Sequence, residues 1–205
     1  MIGARLMGGL GNLMFQVSAV VALSRRQPNP VDVAVSSIDH YIPLGGHPNV
    51  NVYADNIFRK VNIVDESLAF QKIYREPPGQ YQPLPFEDGV IYEGYFQSEK
   101  YFLDSSDYIS ELFYPSNDVE EYIDTKYVHI DFDKATSLHV RRGDYVDLEY
   151  HPLCSLEYYN SALDILGDSA AQVLVFSDDI QWCKDNINGG KEVFYIEGEK
   201  DYIDL

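Results

Sequence analysis

Two adjacent arginines in a strongly acidic chain set the first chemical question. They lie in Leu138-His139-Val140-Arg141-Arg142-Gly143-Asp144-Tyr145, directly after an apolar run. Acidic residues number 33 against 15 basic ones, for a formal net charge of −18. Such a polyanion repels a nucleic-acid backbone, so nucleic acid is excluded as a general partner. Any anion site must therefore be local. A guanidinium fork matches phosphate, and a departing diphosphate needs cationic stabilisation as its bond breaks. The competing reading pairs Arg142 with Asp144 or Asp147 as a structural brace.

Gly8-Gly9-Leu10-Gly11-Asn12 is the second candidate. Glycines such as Gly9 and Gly11 let a ligand approach the backbone, and the amides of a following helix attract negative charge. The motif is not G-x-G-x-x-G and lacks a P-loop lysine, so a tight turn without ligand competes with the binding reading. Phe176-Ser177-Asp178-Asp179 is the third. Asp178 could hydrogen-bond a base or sugar, or an Asp here could cap the next helix. No His/Cys/Asp cluster has metal spacing and no Gly-x-Ser-x-Gly elbow occurs, so no metal is expected. The two cysteines, Cys154 and Cys183, are read as reduced thiols.

These residues need elements to position them. Residues 2–7 read as a strand leading through the glycines into a helix that reaches Arg26, with Asn12 as its N-cap. Pro28 and Pro30 end that helix, and 31–35 is a second strand. Residues 36–60 and 76–89 are rich in proline and glycine and read as irregular. Residues 90–92 form a strand, 98–113 a helix, and 117–124 an acidic helical patch. From there, strands at 135–140, 172–176 and 191–196 alternate with helices at 156–166 and 180–187. That order predicts three adjacent strands in one parallel sheet.

Charge also divides the chain. Residues 1–60 carry five basic and three acidic residues, 61–134 carry five and sixteen, and 135–205 carry five and fourteen. The composition break near residue 134 predicts domains 1–134 and 135–205. No apolar run has transmembrane length, and the start lacks the pattern of a signal peptide, so a cytoplasmic location is expected.

Four blocks carry a resemblance: Gly8 to Gln16, Gly94-Tyr95-Phe96-Gln97-Ser98-Glu99-Lys100-Tyr101-Phe102, His139 to Val146, and Phe176 to Lys184. In this order the chain resembles the bacterial-type α-1,2-fucosyltransferases, glycosyltransferase family 11. The resemblance implies an α/β, GT-B-like fold of two Rossmann-like halves, acceptor side first and GDP side second. It implies metal-independent, inverting transfer of fucose from GDP-fucose to a galactoside, with GDP-fucose and a glycan acceptor as partners and no cofactor. Arg141 matches a diphosphate-binding Arg, His139 a donor-contacting His, and Asn12 a loop residue near the reacting sugar. Arg142, Asp144 and Asp178 join them as substrate-binding candidates, and the proton acceptor stays open between Asp144 and His151.

Two departures accompany the matches. Leu13 stands where the family usually has Gln. The chain ends at Leu205, where family members continue into a further block, so the second half is expected to be incomplete and to favour a homo-oligomer. The alternatives are a catalytically inactive nucleotide- or glycan-binding remnant and a structural protein whose Arg pair braces two domains.

Overall fold

The computed structural model describes residues 1–37, 50–64, 70–147, 152–167, 171–187 and 190–205. The chain forms two compact units, Met1–Ser116 and Asn117–Leu205.

The first unit holds β1 (Ile2–Leu6), α1 (Leu10–Arg25), β2 (Val33–Ser37), β3 (Asn62–Ile63), β4 (Lys72–Arg75), β5 (Val90–Glu93) and α2 (Ser106–Phe113). Its sheet is parallel, in the order β3-β2-β1-β5-β4. β1 lies at the centre, and Ile2, Ala4 and Leu6 are buried. α1 covers β1 with a face of Leu10, Leu13, Val17, Val20 and Leu23. Burial of each Val or Leu there contributes about 1.5–3 kcal/mol. Ala19 and Ala22, both fully buried, let this helix lie close to the sheet.

β1 falls where its apolar run places it, β2 runs from Val33 to Ser37, two residues later than the predicted 31–35, and β3 and β4 carry no such signal. β3 has two residues, and β4, Lys72-Ile73-Tyr74-Arg75, is an edge strand whose charged ends face solvent. Charge on an edge blunts pairing with other chains, and it also hides the strand from an apolar pattern. Residues 98–113 are not one helix. Two 3-10 turns, Glu99–Tyr101 and Leu103–Ser105, precede α2, because Ser98 caps the first and Phe102 at φ −141 breaks the path.

The second unit holds α3 (Asn117–Lys126), β6 (Ala135–Val140), α4 (Leu156–Leu166), β7 (Gln172–Ser177), α5 (Ile180–Asn186) and β8 (Glu192–Tyr195). β6, β7 and β8 are adjacent and parallel, as their β-α-β-α-β order predicts. One face packs on α4 and α5 through Val140, Tyr159, Leu163, Val173, Val175, Cys183 and Ile187. On the other face Leu174 and Ile130 are buried and the His129 ring lies 5.4 Å from Phe194.

The compact units part at Ser116–Asn117, not at the composition break near residue 134. The reason is Glu199. Its nearly buried carboxylate accepts from Tyr127 Oη at 2.6 Å, from Tyr122 Oη at 3.1 Å, and from Lys126 Nζ. These contacts tie α3 and the turn after it to the end of the chain. Among the described residues, no helix is long and apolar enough to cross a membrane.

Candidate active site

In the first unit, the loops that leave the carboxyl ends of β1 and β5 meet. β1 sits where the strand order turns back, the crevice at which open α/β sheets hold ligands. Gly8, at φ +91, makes the tight turn, and a Cβ there would lie 3.3 Å from the Tyr95 ring. So tight a turn starts α1 at Leu10, with Gly9 as N-cap and no side-chain cap. The expected N-cap role of Asn12 is therefore corrected. Asn12 sits inside the first turn, and its Oδ1 accepts from Gln97 Nε2 at 2.7 Å. Gly11 is exposed, and a Cβ added there would meet nothing within 4 Å.

Two further side chains shape this cluster, and neither stands out in the sequence. Fully buried Gln16 accepts from the Met7 amide at 2.9 Å and donates to the Met7 carbonyl at 2.8 Å. It thereby satisfies a backbone that has just left the sheet. Glu76 Oε2 accepts from the Phe96 amide at 2.9 Å, and its Oε1 accepts from Tyr101 Oη at 3.0 Å. Phe96 is held at φ +48, which costs a bulky residue on the order of 1–3 kcal/mol. Beneath the loops, Arg5, Glu93 and Arg75 share one register row across β1, β5 and β4. Burial pushes the Glu93 carboxyl up, but hydrogen bonds from Arg5 and Arg75 outweigh it and hold the group below its ordinary range.

In the second unit, the ends of β6 and β7 are stitched together. Ser177 Oγ donates to the Val140 carbonyl at 2.7 Å and accepts from the Asp179 amide at 2.9 Å. Asp178 Oδ1 accepts from the amides of Arg142 (2.8 Å) and Gly143 (3.1 Å), while its Oδ2 pairs with Arg141 Nη1 at 2.8 Å. Asp179 caps α5 by accepting from the Trp182 amide at 3.2 Å, and its other oxygen takes Arg142 Nε at 3.0 Å. The Arg142 guanidinium also lies 4.2 Å over the Trp182 ring.

The adjacent arginines thus differ. Arg142 is 20% exposed and braced by Asp179 and Trp182. Arg141 is 41% exposed, with Asp178 on one side and the Tyr145 ring 5.3 Å away. The structural partner of Arg142 is Asp179, across the sheet edge. The two readings of Phe176–Asp179 divide between neighbours: Asp179 takes the cap, and Asp178 closes on the arginine loop.

His139 is exposed on β6, near Asp204. Burial, with Glu199 and Asp201 nearby, pushes the Asp204 carboxyl up, and His139 opposes that. Asp144 opens a 3-10 turn, Asp144–Asp147; its side chain and the whole of His151 lie outside the described residues. The Cys183 thiol is buried, and burial raises its pKa, which disfavours the thiolate. Among the described residues, no group of three His, Cys, Asp or Glu could hold a metal ion.

The fold resembles that of solved transferases. It matches the alpha-1,6-fucosyltransferase NodZ co-crystallized with GDP at TM-score 0.56 and 14% identity, over 99% of this chain and 80% of that one. NodZ from Bradyrhizobium matches at TM-score 0.56 and 14% identity, over 98% and 79%. At that identity the likeness shows the fold, an α/β architecture of the GT-B-like kind. In sequence, an Escherichia coli alpha-1,2-colitosyltransferase is 29% identical over 98% of this chain and 78% of its own length. An E. coli O-antigen biosynthesis glycosyltransferase, WbnK, is 27% identical over 55% of this chain and 40% of its own. The model of glycosyl transferase family 11 matches residues 1–204. With all four of the sequence blocks inside that match, the chain belongs to glycosyl transferase family 11.

Proposed function

We propose that this protein transfers a fucosyl group from GDP-fucose to O2 of a galactoside, with inversion, in one in-line displacement. The acceptor hydroxyl attacks the anomeric carbon from the face opposite the diphosphate. The C–O bond to the diphosphate breaks, GDP leaves with the electron pair, and the hydroxyl proton passes to a general base, for which Asp144 and His151 are the candidates. Arg141 supplies the charge that meets the leaving group, so no metal is needed for that task. His139, Arg142, Asp144 and Asp178 are assigned to the donor, and of these Arg142 and Asp178 brace the loop after β6. Gly9, Gly11 and Asn12, in the first unit, are assigned to the reacting sugar and the acceptor. The cytoplasm, where nucleotide sugars are made, is the location proposed.

The observation that carries this reading is the division of labour between the arginines. Arg142 is held by Asp179 and Trp182 with its side chain 20% exposed, whereas the Arg141 side chain, paired with Asp178, is 41% exposed beyond β6. A colitosyl donor is the second reading, favoured by the E. coli relative.

GDP titration of three variants tests the assignment. Arg141→Ala is expected to weaken GDP binding roughly 10- to 150-fold, as loss of a charge-assisted contact worth about 1.5–3 kcal/mol. Arg141→Lys rescues poorly, because an ammonium cannot form the two-pronged contact. Arg142→Ala lowers the melting temperature more than Arg141→Ala does. Assays with fucosyl and colitosyl donors on a panel of galactosides separate the two readings. GDP binding by Arg141→Ala equal to the parent's rejects the diphosphate role.

A further inference from the structure

The loop after β5 is built around one carboxylate that the transfer chemistry above does not use. Among the described residues, Phe96 is the non-glycine residue with a left-handed φ. Its ring is fully buried and meets Tyr101 edge-on, 5.4 Å between centroids. Nothing in its side chain favours that backbone, so the surroundings must impose it. Glu76 does so from the end of β4. Its backbone amide donates to the Glu93 carbonyl at 2.8 Å, which carries the β4–β5 pairing one residue further. Its two carboxylate oxygens then take the Phe96 amide and the Tyr101 hydroxyl. Gly94 leaves the space: a Cβ there would collide with the Glu76 side chain and lie 2.9 Å from the Phe96 ring.

The flanking residues are what this anchor presents. Tyr95 and Gln97 are exposed on either side of buried Phe96. Gln97 donates to Asn12, and the Tyr95 ring closes on Gly8. We propose that Glu76 is a positioning residue of the acceptor side, holding the Phe96 turn so that Gln97 fixes the Asn12 side chain toward the reacting sugar. It acts through Phe96 and Gln97 and moves no proton, since both its oxygens are engaged. The Tyr101 hydroxyl, raised to about 12 by burial and by Glu76, remains a donor throughout the working range. Only the activity arm of the test rests on the transferase reading above.

Glu76→Ala, Glu76→Gln and Gln97→Ala separate positioning from proton transfer. A glutamine can accept from the Phe96 amide and donate to the Tyr101 oxygen, so it preserves the turn but could not serve as a base. With GDP-fucose and a panel of galactosides, Glu76→Ala is expected to lose at least tenfold in kcat with unchanged GDP affinity. Glu76→Gln stays within threefold of the parent, and exposed Gln97→Ala shows the same kcat loss as Glu76→Ala. If Glu76→Ala fails to fold, Gln97→Ala and Glu76→Gln carry the test. Turnover by Gln97→Ala equal to the parent's overturns the proposal, and so does a Glu76→Gln variant as impaired as Glu76→Ala.

Amide exchange supplies the arm independent of activity. Peptides spanning residues 8–16 and 94–101 are expected to lose protection in Glu76→Ala and to keep it in Glu76→Gln. A parent without turnover rejects the transferase reading, and the exchange pattern then decides the positioning role alone. Unchanged protection of residues 8–16 in Glu76→Ala overturns it.

Discussion

Gly143 has no room for a side chain because of Asp178: a Cβ there would stand 2.9 Å from the Asp178 Cγ and collide with its carboxylate. The glycine and the aspartate form one device, in which the carboxylate sits under the loop and gathers the amides of residues 142 and 143.

Gly143→Ala is therefore expected to loosen this loop, lowering both the melting temperature and GDP affinity. Asp178→Asn keeps an oxygen for the two amides and removes a negative charge beside Arg141. It should bind GDP within threefold of the parent, whereas Asp178→Ala should lose at least tenfold. Calorimetric titration decides between roles. A tenfold loss in Asp178→Asn would mean that Asp178 contacts the donor directly.

Gly11 offers a sharper separation of folding from function. Its Cβ position is open, and it lies in the first turn of α1, where alanine is the better helix former by up to about 1 kcal/mol. Gly11→Ala should melt at or above the parent temperature and yet lose transfer activity, because the methyl group fills the space a ligand would use. An active Gly11→Ala enzyme would remove Gly11 from the site.

Two carboxylates near the end of the chain should respond to acid in opposite senses. Burial pushes Glu199 up, but Lys126, Tyr127 and Tyr122 outweigh it and hold the group below its ordinary range. Its stabilisation is complete above the unfolded value of about 4.3 and is lost as pH falls through the lower folded value. Asp204 is raised, so its ionised form opposes folding at neutral pH and that penalty vanishes in acid. Thermal melts at pH 7 should place Glu199→Gln below the parent and Asp204→Asn above it. Both differences should shrink toward pH 3. Differences that stay constant with pH would reject the electrostatic origin.

Much of the second unit was legible because its strands are near-continuous apolar runs. Val173-Leu174-Val175-Phe176 can only be a buried strand in so polar a neighbourhood, and the helix at 156–166 has the bounds its spacing predicts. β4 was not legible, since its charges serve an edge. Arg141 and Asp179 could be placed at a sheet rim because each follows an apolar strand. Gln16 and Glu76 could not. Their roles depend on backbone groups 9 and 20 residues away, and no local pattern marks a side chain that completes a distant turn. The left-handed Phe96 was hidden for a related reason: the usual signal for such a turn is glycine, and here a carboxylate replaces it.

The strand order β3-β2-β1-β5-β4 also constrains how this protein can be made. β1 receives its first neighbour at Val33–Ser37 but its second only at Val90–Glu93. As the nascent chain emerges, the apolar Ile2–Leu6 segment must wait with one unpaired flank until residues 38–89 and then β5 have been synthesised. An open flank of that kind invites pairing with other chains. Slow translation through residues 38–89 would prolong that exposure, and a chaperone that shields the N-terminal strand would shorten it.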